Sequence, residues 1–144
     1  MDKEVKDFIA KNNLFEEVGD IFDKYQDHHP FLGLFGKPYS TAKVKKVKSY
    51  TALTYPGSVV YEAYYTFDEN GLRNTTNNTN SNVDVALVFG DSMAFGVGVN
   101  DNKTFPSFFA KHNPRVKVQN YGFYGHGPNH MLRTIQSYSF KENY

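Results

Sequence analysis

The sequence predicts a layered α/β protein preceded by a helical and β-hairpin extension. Three observations predict it. Val83 to Phe89 (VDVALVF) is an almost unbroken β-branched and apolar run, the pattern of a strand covered on both faces of a parallel sheet. A Gly-rich turn, a helix-like stretch, a second short strand from Val116 to Asn120, another Gly-rich turn and a final helix-like stretch follow, so the order is β-loop-α-β-loop-α. Upstream, residues 58–67 (SVVYEAYYTF) place Val59, Tyr61, Ala63, Tyr65 and Phe67 on one face at period two.

Each element has its own local reason. Over residues 2–27, Val5, Phe8, Ile9, Phe15, Val18, Phe22 and Tyr25 recur mostly at spacings of three and four, which predicts helix with an interruption at Asn12-Asn13. Asp27-His28-His29-Pro30 should end it, because proline biases the preceding residue away from helix. Residues 30–40 read as an irregular apolar loop, which completes a helical extension over 1–40. A β-hairpin lead-in over 41–73 follows, with residues 44–54 as antiparallel partner of the 58–67 strand and Asp68-Glu69-Asn70-Gly71 as a tight turn. Residues 74–82 (NTTNNTNSN) hold no apolar group and predict a solvated linker. Two matches to the glycosylation acceptor pattern, at Asn74 and Asn77, are what chance yields in so Asn- and Thr-rich a tract. Residues 83–144 then supply two βα units, with Thr104 capping a helix that carries Pro106 in its first turn and Phe105, Phe108 and Phe109 as its buried face. The last helix is expected near 128–141.

Composition excludes several functions. The chain has 144 residues and a net charge of +1, too balanced for a nucleic-acid footprint. The Lys43, Lys45, Lys46, Lys48 run reads as a solvated strand edge that discourages edge pairing. With no cysteine there is no disulfide, thiolate metal site or cysteine nucleophile. No metal and no cofactor are expected: His126 and His130 are four apart, but Gly127-Pro128 between them breaks the helix that a ligand pair would need, so a surface or substrate-groove position is expected. His28 and His29 suit a helix end. Gly96-Val97-Gly98 lacks the further glycine of a dinucleotide loop. No apolar run approaches the roughly 20 residues of a membrane span, and no signal-peptide core precedes the charged start, which points to the cytoplasm if Met1 is the true start.

The chemistry is expected at the two Gly-rich turns, because ligands of open α/β sheets bind outside the carboxyl ends of the strands. Ser92 follows the first strand directly, where a sharp turn exposes a hydroxyl and an N–H together. Gly122, Gly125 and Gly127 of the second turn let backbone N–H groups approach a substrate.

Gly90-Asp91-Ser92-Met93-Ala94-Phe95-Gly96 resembles the GDSxxxG block of the SGNH/GDSL hydrolase superfamily of esterases and lipases. Val97 to Asp101 and Thr104-Phe105-Pro106 resemble its continuation, and Asn120-Tyr121-Gly122-Phe123-Tyr124-Gly125 its second block. Tyr65 to Arg73 resembles the lead-in of some bacterial members, so the likeness covers about residues 60–136. It implies a partial three-layer, flavodoxin-like parallel sheet and hydrolysis of a small-molecule O-acyl ester. Ser92 would be the nucleophile, with the N–H groups of Ser92 and Gly125 as oxyanion donors. Gly90, Asp91, Gly96, Asn120 and Gly122 would support the motif, Asp91 bracing the turn rather than acting as base. Phe95 and residues 121–126 would line the acyl or leaving-group site.

The family's third donor is the Asn of a GxND block and its base the His of a DxxH block. Neither block is expected in this chain, and none of the five His residues has an Asp three positions before it. The expectation is therefore a truncated hydrolase with little turnover alone, which self-associates or pairs with a complementing chain. A non-catalytic remnant or binding domain that keeps the α/β half-fold is the alternative.

Overall fold

A computed structural model describes residues 25–29, 33–47, 59–79 and 84–137. It is mixed α/β, with three small sheets and three helices among the described residues. The helices expected over residues 2–24 lie outside them.

β1 (Gln26–His29) pairs antiparallel with β2 (Gly33–Gly36), Gln26 opposite Gly36 and His29 opposite Gly33. Both differ from the sequence expectation of a helix through residue 27 and a loop over 30–40. Tyr25 is helical as expected, but from Gln26 on two facing short segments satisfy each other's backbone groups, and tertiary pairing overrides the propensity. Tyr25 itself is buried, stacked on Phe67 and edge-on to Tyr65.

β3 (Thr41–Val47) and β4 (Val59–Thr66) form an antiparallel pair, Ala42 opposite Tyr65 and Val44 opposite Ala63; of the partner expected over 44–54, residues 44–47 lie in β3 and 48–54 lie outside the described residues. The alternation sends Ala42, Val44, Ala63, Tyr65 and Phe67 inward and leaves Lys43, Glu62 and Tyr64 outside. The tight turn after Phe67 forms as expected: Asp68 Oδ1 accepts from the N–H groups of Asn70 and Leu72 at 2.8 and 2.9 Å. Gly71 takes a positive φ of 73° there.

β5 (Asp84–Val88) and β6 (Val116–Asn120) run parallel, with Val88 opposite Asn120. Between them come α1 (Ser92–Phe95), a 3-10 turn (Asp101–Lys103) and α2 (Phe105–His112); α3 (Pro128–Ser137) closes the described chain. Thr104 caps α2 as expected, its Oγ1 accepting from Ser107 N.

Three further expectations are corrected. β5 is not covered on both faces, since Val85 is 57% exposed and the rest of the strand is at most half-buried; β6 is the only strand beside it among the described residues. In α2 the buried residues are Pro106, Ser107 and Ala110, while Phe105, Phe108 and Phe109 are 60%, 45% and 36% exposed. Small side chains let the helix lie close to its neighbours, and Ser107 Oγ is engaged three times, donating to Asp101 O at 2.6 Å and accepting from Thr76 N at 2.9 Å and from Thr104 Oγ1 at 3.0 Å. The polar tract read as a linker is tied down over 74–79. The Asn78 side chain accepts from Val118 N at 2.7 Å and donates to Val118 O at 2.8 Å, mimicking one residue of a paired strand along β6. An amide carries both a donor and an acceptor, so a tract with nothing apolar to bury still holds a sheet edge.

The principal core is aromatic and lies between the hairpin and the turns that follow β5 and β6. Tyr25, Ala42, Val44, Ala63, Tyr65 and Phe67 pack against Phe95 and Phe123. A smaller cluster joins Phe35, Leu72 and Tyr121 to Leu87 and Phe89. Among the described residues, no helix is long and apolar enough to cross a membrane.

Candidate functional site

The parallel register brings the two Gly-rich turns out at the same end of β5 and β6. They are fastened to each other by backbone bonds, Tyr121 N to Val88 O at 2.8 Å and Phe123 N to Gly90 O at 3.2 Å. Buried Asn120 completes the join. Its Oδ1 accepts from Gly122 N at 3.0 Å and its Nδ2 donates to Ala94 O at 3.2 Å. A methyl group at Gly122 would lie 2.6 Å from Phe95 N and 2.8 Å from Ala94 C, so only glycine lets the turns approach this closely.

Ser92 is the first residue of α1 and is half-buried. Asp91 caps that helix, its carboxylate accepting from Met93 N at 2.9 Å. Gly96 ends it with a φ of 85°, and both Gly96 N and Val97 N donate to Ser92 O at 3.0 Å. Gly125 also has a positive φ, 82°, and no heavy atom lies within 4 Å of where its Cβ would stand. The structure therefore gathers Gly90, Asp91, Ser92, Gly96, Asn120 and Gly122 into two joined turns, with Gly125 further along the second and open above its Cα.

Phe95 does not line a substrate site. It is fully buried, with the rings of Tyr65 and Phe123 at 5.2 Å and that of Phe67 at 6.2 Å. Tyr121, Gly122, Phe123 and His126 are buried as well, and half-buried Tyr124 packs against the core with its ring stacked on Phe123, which leaves exposed Gly125 of that stretch facing outward. A short helix ending in an aromatic residue drives that ring into the nearest apolar face, here that of the hairpin. Met93, beside Ser92, is 82% exposed instead.

The string Gly98-Val99-Asn100-Asp101 does read Gly-x-Asn-Asp, which corrects the expectation that this block is absent. The structure gives it a different task from oxyanion binding. Asn100 Oδ1 accepts from Tyr64 N at 2.8 Å, and the Asp101 carboxylate accepts from Thr66 Oγ1 at 2.7 Å, so both face β4.

Asp101 leads to the residue that sequence reasoning missed. Arg73 is 2% exposed, and its Nε donates to Asp101 Oδ1 at 2.8 Å. Burial lowers its pKa from the ordinary value, with Asp101 opposing the shift, and a guanidinium stays charged regardless. One signal was available: Arg73 is the lone cation between Lys48 and Lys103.

His126 is neither a surface nor a groove residue. It is buried, its ring edge-on to Phe35 and stacked on His130 at 4.8 Å between centroids. Its Nε2 lies 2.8 Å from Leu34 O, which a carbonyl acceptor requires to be an N–H, so neutral His126 is the Nε2–H tautomer. Burial and the neighbouring His130 lower its pKa. A folded value below the unfolded one means that the unfolded chain binds the proton first. His126 should thus contribute stability above about pH 6.5 that is lost as the pH falls through the depressed folded value. Melting temperature followed from pH 7.5 to pH 5 should drop, and His126→Gln should flatten that drop; an unchanged slope would refute the assignment.

Among the described residues, no group of three or more His, Cys, Asp or Glu is placed to hold a metal ion, and no side chain among them makes a hydrogen bond to Ser92 Oγ. No family model matches the chain, and no curated protein matches it.

Proposed function

We propose that the chain carries the nucleophile half of an SGNH/GDSL-type serine ester hydrolase, built on a partial flavodoxin-like sheet. The observation that supports this most is the pair of Gly-rich turns joined at the carboxyl end of a parallel strand pair, with Ser92 opening a capped helix in one and Gly125 open in the other. In this reading Ser92 Oγ attacks the ester carbonyl and the alcohol leaves. The tetrahedral oxyanion takes hydrogen bonds from the N–H groups of Ser92 and Gly125, and water then releases the acyl group.

Among the described residues, no base is placed against Ser92 Oγ. His126 Nε2 is committed to Leu34 O, and His130 Nδ1 accepts from Gly127 N at 3.2 Å. A serine hydroxyl without a partner base is a weak nucleophile, and oxyanion binding alone leaves roughly 10³–10⁴-fold over water. The expected result is slow covalent labelling of Ser92 by a fluorophosphonate probe, abolished in Ser92→Ala, with nitrophenyl acetate turnover close to background. Labelling that persists in Ser92→Ala, or none at all at saturating probe, would favour a non-catalytic binding domain. Fast Ser92-dependent turnover would show that a base is present after all.

A further inference from the structure

We infer that Arg73, oriented by Asp101, is the positioning residue of the nucleophile turn, an inference that rests on the assignment of Ser92 above. Its guanidinium fork reaches the end of α1 and the loop beyond it. Nη1 donates to Phe95 O at 2.8 Å and to Gly96 O at 2.6 Å, and Nη2 donates to Val99 O at 2.6 Å. Helix ends leave carbonyls without intrahelical donors, and a four-residue helix has almost nothing else to hold it. Gly96, whose carbonyl Arg73 grips, donates its own N–H back to Ser92 O. The path from guanidinium to nucleophile therefore runs through a single residue.

The backbone of Arg73 reaches the other turn. Arg73 bridges antiparallel to Asn120, whose side chain holds Gly122 N and Ala94 O. Arg73 thus touches both turns that would supply oxyanion donors, and a shift in one would be felt in the other. The guanidinium also lies 4.1 Å from the Tyr65 ring centre and 4.8 Å from that of Phe95, which fixes its plane against the hairpin core. Asp101 completes the orientation, itself held by Thr66 N and Oγ1 on β4. Lysine cannot substitute. Its single ammonium lacks the flat fork that serves an anion on one edge and three carbonyls on the others.

The test is amide hydrogen exchange on the full chain carrying Arg73→Lys. Gly96 and Val97, whose N–H groups bond Ser92 O, should exchange about tenfold faster or more, while Ala63 and Tyr65 on β4 stay within about twofold of the parent. Asp101→Asn, which keeps the guanidinium and removes the charge that orients it, should loosen the same two amides less. In Arg73→Ala, added methylguanidinium should restore part of their protection. Fluorophosphonate labelling of Ser92, measured in parallel, should slow in Arg73→Lys relative to the parent. Unchanged exchange at Gly96 and Val97 overturns the inference, as does an equal rise at Gly96, Val97 and β4, which would make Arg73 a general stabiliser. If the parent chain does not label at all, the hydrolase proposal fails by itself, and exchange still decides whether Arg73 positions the turn.

Discussion

Phe95→Ala should destabilise the chain by about 3–5 kcal/mol, the range for removing a fully buried aromatic ring. Phe95 is 0% exposed and sits edge-on to Tyr65 and at an angle to Phe123, both at 5.2 Å, with the Arg73 guanidinium 4.8 Å from its centre. Its surroundings cannot collapse into the space, because the hairpin is held by its own ladder and the turns by the bonds of Asn120 and Arg73. The residual cavity therefore adds to the lost transfer energy. Against a total stability of about 5–15 kcal/mol for a small domain, this is a large fraction. The loss should appear in urea denaturation as a lower midpoint with little change in slope. Met93→Ala, two residues away but 82% exposed, should stay within about 0.5 kcal/mol of the parent. Equal effects for the two substitutions would mean that Phe95 is not the joint between hairpin and nucleophile turn.

Gly122→Ala should have the second-largest effect, about 1–3 kcal/mol or more, by overpacking rather than by leaving a hole. The added methyl would stand 2.6 Å from Phe95 N and 2.8 Å from Ala94 C, and neither is the yielding end of a flexible side chain. The turns would have to part, and the bonds that Asn120 makes to Gly122 N and Ala94 O would lengthen with them. Gly125→Ala is the informative contrast. No atom lies within 4 Å of the new methyl, so its cost is confined to the positive φ, roughly 1–2 kcal/mol. In Gly122→Ala, fluorophosphonate labelling of Ser92 should be lost together with stability. A Gly122→Ala chain that melts and labels like the parent would show that the turns are not packed as described.

The two sites of substitution differ in how visible they are beforehand. Gly122 stands out in the sequence because an Asn-to-Gly turn after a short strand is a local pattern. Phe95 is visible too, but its direction is not. The stretch from Asp91 to Phe95 says only that a ring follows a serine turn, and the ring could face a ligand as easily as a core. α2 shows the same limit. Its helix and its Thr104 cap follow from adjacent residues, yet Phe105, Phe108 and Phe109 are exposed and Pro106, Ser107 and Ala110 are inside. Residues 26–36 resemble helix and loop in the sequence because a short strand is made by its partner, and the partner here is another short segment with no strong pattern of its own. Asn78 resembles linker because polar composition predicts solvation wherever no neighbour is known, and the neighbour is Val118, on the second parallel strand.

Local order is thus what the sequence alone determined: the alternation along β4, the two βα units, the start of α2 capped by Thr104, and the glycines that close the turns beside Ser92 and Asn120. These depend on a side-chain period or a backbone angle, which a few consecutive residues specify. The tertiary structure alone decided what the hairpin is for. Read along the chain it is a lead-in; folded, its apolar face receives Phe95 and Phe123, and the tight turn that follows β4 delivers Arg73 to the carbonyls behind Ser92. A buried cation and the ring beneath it have no sequence period, because their partners are set by which faces meet, and that meeting is decided only when the whole chain buries its apolar surface at once.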